Sequence, residues 1–250
     1  MNLKRTGICI LVIGVFISGS IISNATLNSS DKVSSNEINS ILKNSIKTLS
    51  TQGEYIEHIT ISHASGEKVD TYIDRENYLE QCDEYDANGE LLSRVIVYDK
   101  GSKALSIGKY NGKYEATIMN LDLDVSSQNK ELFENTSQIE TYVLGNLDES
   151  KNSNFIEKKL INSSIIKYST DNKNLYFDKD DNNFLIKEET IKDGEIIQTI
   201  EYEKISKKSK SSTNYFKLTS PVNEKSGLFL KNIEVTSIDL EKDVPLDNAK

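Results

Sequence analysis

The chain has 250 residues, with 39 Asp and Glu against 30 Lys and Arg and a formal net charge of −9. Such an excess of carboxylates gives no electrostatic reason to approach nucleic acid or an anionic lipid surface. With two cysteines and two histidines in all, the chain is also poor in the ligands that transition-metal centres use.

Met1 to Arg5 form a short basic head, and Thr6 to Ile22 an apolar run with Gly7, Gly14 and Gly19 inside it. Ser23-Asn24-Ala25 then offers small residues ahead of a cut after Ala25. These are the three parts of a secretory signal, so residues 1–25 read as a signal peptide, with an uncleaved membrane segment as the alternative. Cys9 lies within the apolar run rather than after it, which argues against a lipid anchor. Cys82 is then the sole thiol of the exported chain, and it reads as a small apolar strand residue. Export also removes Lys4 and Arg5, which takes the net charge from −9 to −11.

Residues 26–33 are small and polar, a flexible leader. Ser34 and Glu37 make a capping-box pattern, and Ile38, Ile41, Leu42, Ile46 and Leu49 follow at helical spacing. A helix is expected at about 34–50, packing its stripe into the core. From Tyr55 the period falls to two. Strands are expected at Tyr55–Ser62, Asn77–Tyr85, Leu91–Tyr98, Lys103–Lys109 and Lys113–Met119, separated by Ser65-Gly66, Asn88-Gly89, Lys100-Gly101 and Asn111-Gly112. Asn-Gly pairs predict type I′ turns, with two positive φ angles each.

The stretch Asn129 to Leu147 predicts one or two inserted helices. Strands resume at Phe155–Ser169, Asn174–Phe177, Phe184–Ile191, Glu195–Ile205, Tyr215–Leu218 and Leu228–Ile238, with a hairpin turn at Asp193-Gly194. On Leu91–Tyr98 the alternation puts Leu92, Ile96 and Tyr98 on one face and Leu91, Val95 and Val97 on the other, so both faces are covered or one is a binding concavity. Residues 34–240 read as a single α+β, mainly antiparallel β domain, and 241–250 as a polar tail.

This order resembles the LolA/LolB/RseB superfamily of lipoprotein-carrier-like folds. The residues that carry the resemblance are Tyr72 to Tyr78 leading into Asp86 to Glu90, then Leu175 to Asp178, Phe184 to Glu188, Asp193 to Glu195 and Phe216 to Leu218. The resemblance implies a curved half-barrel sheet with an N-terminal helix and a helical insert. The Lys-, Asn- and Ile-heavy composition suggests an AT-rich bacterium, and among relatives of this fold in spore-forming Gram-positive bacteria the chain resembles the GerS-type germination proteins in size and export. That likeness implies a supporting role for a cortex or cell-wall amidase in sporulation and germination, in the intermembrane space of a forespore.

No arrangement of reactive groups predicts catalysis. His58 and His63 are five apart, which sends them to opposite faces of a strand. No phosphate loop or nucleophile elbow occurs. Glu188, Glu189, Glu201 and Glu203 read as solvent-facing strand charges, opposite Ile196, Ile200 and Tyr202. Asp178, Asp180, Asn182 and Glu189 match positions of a calcium loop, but Asn183 stands where that loop needs Gly and the flanks are strands, so a polar hairpin tip is the reading. No enzyme activity, cofactor or metal is expected. The reading is an exported, non-enzymatic binding or accessory protein, with a lipid or lipoprotein carrier and an envelope-stress sensor domain as alternatives. Its expected partner is a protein, a cell-wall amidase in the GerS likeness. A second copy pairing by a strand and a lipid held in the half-barrel are the other occupants. The last strand, Leu228–Ile238, and the strands next to the helical insert are expected to be edges, with Phe229, Ile233 and Val235 on the last strand as partner-binding residues.

Overall fold

In the computed structural model of the chain the described residues are 35–49, 54–110, 112–121, 123–135, 137–150, 157–207 and 234–239. Contacts divide the chain into Met1–Ser30 and Asp31–Lys250, and every described residue belongs to the second unit. The expected signal segment, leader and tail, and the expected strand Tyr215–Leu218, lie outside the described residues. Among the described residues no helix is long and apolar enough to cross a membrane.

The first helix, α1 (Ser35–Thr48), follows its apolar stripe. Ile38, Leu42, Ser45 and Leu49 are buried along one face, while Glu37 in the first turn and Lys47 in the last complement the helix dipole. The Ser45 hydroxyl accepts the Leu185 N–H at 2.9 Å, which fastens the helix to the sheet.

The strands are β1 (Tyr55–His63), β2 (Lys68–Asp74), β3 (Leu79–Tyr85), β4 (Leu91–Tyr98), β5 (Lys103–Tyr110), β6 (Lys113–Asn120), β7 (Glu157–Leu160), β8 (Ile165–Ser169), β9 (Lys173–Asp178), β10 (Phe184–Lys192), β11 (Glu195–Ser206) and β12 (Glu234–Asp239). They form one sheet in the order β12-β6-β5-β4-β3-β2-β1-β11-β10-β9-β8-β7. The ladders from β6 through β7 are all antiparallel, and the sheet does not close on itself. The fold is α+β, a curved half-barrel with an N-terminal helix. The meanders before and after the helical insert join where β1 pairs with β11, Ile59 opposite Tyr202.

Several boundaries differ from those expected. The insert is two helices, α2 (Leu123–Asn135) and α3 (Gln138–Ser150), which meet at Ser137. Its Oγ accepts the Glu140 N–H at 3.1 Å, an N-cap that starts the second of the two helices, while the first begins at Leu123, ahead of the expected Asn129. β2 occupies a stretch where no strand was expected, because Asp70 and Asp74 interrupt its apolar pattern. Phe155–Ser169 is not one strand but the hairpin β7–β8. The Asn162 Oδ1 accepts the N–H groups of Ser164 and Ile165 at 2.9 and 2.8 Å and turns the chain there.

Asp193 and Gly194 have φ of 53° and 84°, as a type I′ turn requires. At Asn88-Gly89 only Gly89 is positive, at 79°. There the Asp86 carboxylate takes the Asn88 and Glu90 N–H groups at 2.9 and 2.8 Å and organises a longer turn. The last strand also departs from the expected meander. β12 runs parallel to β6, whereas an antiparallel neighbour would continue the meander.

The main core joins Ile38 and Leu42 of α1, Ile139 and Val143 of α3, and Ile59, Tyr168, Leu175, Phe177, Leu185, Ile200 and Tyr202 of the sheet. A second cluster, Leu91, Ile96, Leu105, Ile107 and Ala116, stands on the opposite face of β4 to β6. Both faces of β4 are therefore covered. A bulge beside Tyr85 moves Leu91 onto the face of Ile96 and leaves Leu92 43% exposed, reversing the pairing that strict alternation predicts.

Candidate functional site

Among the described residues the sheet ends in two edge strands, β12 and β7. On β12, Val235 stands opposite Ala116 of β6. Phe229 and Ile233 lie outside the described residues. The other edge is β7, whose four residues are all exposed. Beside it Leu160 and Ile161 remain 58% and 46% exposed.

The helix-covered face holds carboxylates that the alternation placed elsewhere or left unnoticed. Glu57, in step with Ile59 on β1, is fully buried, and its Oε2 accepts the Ile139 N–H at 3.1 Å at the start of α3. Arg75 donates to the carbonyls of Phe133 and Glu134 at 3.1 and 3.3 Å, at the end of α2, and its Nε lies 3.9 Å from Glu57 Oε1. A carboxylate thus meets the positive end of α3 and a guanidinium the negative end of α2, so this pair holds the helix elbow against β1 and β2. Burial raises the Glu57 pKa despite these bonds.

Glu80 lies one strand beyond Ile73 in the same cross-strand row as Glu57. Burial, with the Glu57 charge adding, pushes its carboxyl up to about 7. Glu188 and Glu189 are both buried, contrary to their expected exposure. Asn146 of α3 donates to Glu188, while Asn174 and Tyr176 donate to Glu189 at 2.9 and 2.8 Å and Lys187 sits 2.8 Å from it. Each carboxylate has found partners that sequence periodicity does not record. Conversely, Ile196 at the β10–β11 hairpin is 48% exposed rather than turned inward.

Cys82 is half-buried on β3, and burial pushes its thiol up to about 12, which leaves no thiolate near neutral pH. A cleft of about 370 Å³ lies between the end of α1 and the β9–β10 turn, lined by Asn44, Lys47, Thr48, Asn182 and Asn183. The calcium-like residues do not converge there. Asp178 accepts the Asp180 N–H at 2.9 Å, and Glu189 is engaged farther along β10. Among the described residues no group of three or more His, Cys, Asp or Glu is placed to hold a metal.

On the face away from the helices, His58 is stacked on Tyr72 with centroids 4.2 Å apart and lies between Glu203 at 3.1 Å and Asp70 at 3.5 Å. Burial opposes the charged ring, but Asp70 and Glu203 outweigh it and raise its pKa. His63 is exposed at the far end of β1 and takes no part. Next to this group Arg94 grips Asp83 through two nitrogens, each 2.6 Å from an oxygen, and both residues are buried. The signal for these pairs was present as charges in step with apolar neighbours, but their partners lie on other strands.

No family model matches the chain, and no curated protein matches it. Among solved structures it is similar to an uncharacterized conserved protein from Thermus thermophilus, with 12% identity and a TM-score of 0.37 over 81% of this chain and 99% of that one. It is similar to the Mycobacterium tuberculosis lipoprotein LppX at 12% identity and a TM-score of 0.28, over 76% of this chain and 99% of that one. A DUF1329 family protein from Desulfovibrio piger is similar at 11% identity and a TM-score of 0.20, over 69% of this chain and 92% of that one. Likenesses this distant assign no role, and the functional reading rests on the chain's own residues.

Proposed function

We propose that this is an exported, non-catalytic binding protein that engages a partner protein outside the cytoplasmic membrane by adding the partner's chain to its open sheet. The observation that carries this reading is the strand order, which leaves β12 and β7 at two separate edges. Unpaired main-chain groups at an edge bind another extended chain readily, and neighbouring side chains supply the specificity. Val235, with Phe229 and Ile233 ahead of it in the chain, is the proposed contact set at the β12 edge. Against the carrier alternative stand Glu57, Glu80 and Glu188 on the helix-covered face, where an acyl chain would need a dry apolar chamber. The resemblance to GerS-type proteins names a cell-wall amidase as the partner to look for first.

The test is affinity capture from the native host with a photo-crosslinking residue at Val235 or Leu160, and identification of both protein and lipid. A protein crosslinked at an edge is the expected result. Lipid recovered without a protein crosslink at either position would replace this reading with the carrier. The same preparation should begin near Thr26, and intact Met1 on cytosolic protein would contradict export.

A further inference from the structure

One cross-strand row at the β7 end of the sheet, on the face away from the helices, runs Lys159, Lys167, Tyr176, Lys187 and Glu201 across β7 to β11. Three lysines in so short a row run against the acidic balance of the whole chain. Lys187 is engaged, 2.8 Å from Glu189 and 4.1 Å above the Tyr176 ring. Lys159 and Lys167 stand directly opposite one another, and among the described residues neither has an acidic partner. Among the described residues the contact of Lys167 is with the Tyr176 ring, 6.0 Å away. Like charges placed directly opposite weaken a ladder, and an anion between them would relieve the repulsion.

Among the described residues the outward main chain of β7 beside them has no partner. The Ile161 N–H bonds the Ile165 carbonyl at 2.9 Å, and antiparallel ladders alternate inward and outward pairs. Glu157 and Lys159 therefore bond inward to β8, whereas Lys158 and Leu160 direct their N–H and C=O groups outward, past the edge. We propose that β7 is the docking edge for an extended acidic segment of a partner protein, pairing with the main chain of Lys158 and Leu160 and placing its carboxylates over Lys159 and Lys167. The proposal rests on the edge-binding reading above and narrows it to one edge and one partner chemistry. Lysines on an edge deter neutral or basic strands, including β7 of a second copy, where lysine would meet lysine. An acidic strand turns that deterrent into attraction, so the same charges that protect the edge select its occupant.

The test uses the full chain and two short synthetic peptides, one alternating glutamate with valine and one alternating lysine with valine. Binding is followed by fluorescence anisotropy at low and high salt, and edge pairing by amide hydrogen exchange. The glutamate peptide should bind about tenfold or more tightly than the lysine peptide, weaken as salt rises, and slow exchange at Lys158 and Leu160. Leu160→Pro removes an outward donor while leaving the β7–β8 ladder intact, and should lose most of that binding with an unchanged circular dichroism spectrum. Lys159→Glu with Lys167→Glu should reverse the preference to the lysine peptide, a gain that misfolding cannot produce. Undiminished binding of the glutamate peptide to Leu160→Pro overturns the proposal. So does equally tight binding of polyglutamate or phosphatidylglycerol vesicles, since charge alone would then explain the contact. A native partner still captured by Leu160→Pro removes β7 as its edge but leaves the broader reading standing; the absence of any protein partner removes both.

Discussion

At the β8–β11 end of the sheet the buried apolar side chains, Leu175, Phe177, Ile200 and Tyr202, stand on the face that carries α1 and α3. At β4 to β6 the cluster of Leu91, Ile96, Leu105, Ile107 and Ala116 stands on the other face, in the rows of His58 and Thr60. Both regions have the same period of two. The difference teaches that alternation says a strand has an inside, while the elements packed against the sheet decide which side that is. Along the rows between the two regions the charges follow the same logic. Asp70 and Asp83 face each other on β2 and β3, and they are tolerated because Lys68 and His58 attend one and Arg94 grips the other.

Truncation is the most direct way to break the comparison. Leu42 of α1 is fully buried in the helix-packed core, and Leu105 is 5% exposed in the second cluster. Leu42→Ala should cost about 3–5 kcal/mol and Leu105→Ala about 2–3 kcal/mol in urea unfolding. A larger loss at Leu105 would make the second cluster the principal core. The boundary between the regions is probed by Asp83→Ala, which leaves the Arg94 guanidinium buried without its carboxylate. The expected loss is about 3 kcal/mol, largely recovered in the double variant with Arg94→Met. If the single change were as mild as an exposed salt-bridge deletion, the pair would not be anchoring this stretch of the sheet.

Smaller effects come from titration. The Glu80 carboxyl is pushed up to about 7 from an ordinary 4.5. A group whose folded pKa lies above its unfolded value contributes stability below the lower value and loses it as pH rises through the upper one. The protein should therefore lose stability between about pH 4.5 and 7, and Glu80→Gln should stabilise it by about 1–3 kcal/mol at pH 8 but not at pH 4. No gain at pH 8 would mean that the carboxylate is solvated where it lies on β3. His58 has the same sign and a smaller effect, because Glu203 is 64% exposed and screened. His58→Gln should cost at most about 1 kcal/mol at pH 5.5 and less at pH 9. An equal loss at both values would assign the role of His58 to its stacking on Tyr72 rather than to its charge.

Local features were legible because the residues that cause them are neighbours in the chain. The stripe from Ile38 to Leu49 specified α1, and Asp193-Gly194 specified a turn whose two positive φ angles the structure contains. Asn88-Gly89 was legible only as a turn, since the Asp86 carboxylate, rather than the Asn-Gly pair, sets its geometry. The edge position of the last strand could be read from its place in the chain, but its direction beside β6 could not. The buried charges were hidden for a different reason. Glu57, Glu188 and Glu189 look like ordinary strand carboxylates until Ile139, Asn146, Asn174 and Tyr176 are brought against them from helices and strands far along the chain.

By itself the sequence determined the helix, most of the strands, the polar turns between them and the acidic balance, all set by residue type and short-range spacing. Tertiary structure alone decided that β1 joins β11, that the apolar face changes sides along the sheet, that a bulge exposes Leu92, and that lysines from β7, β8 and β10 fall into one row. Each of these depends on which strands pair and in what register, and a slip of one residue in any ladder would have turned the same side chains to the other face.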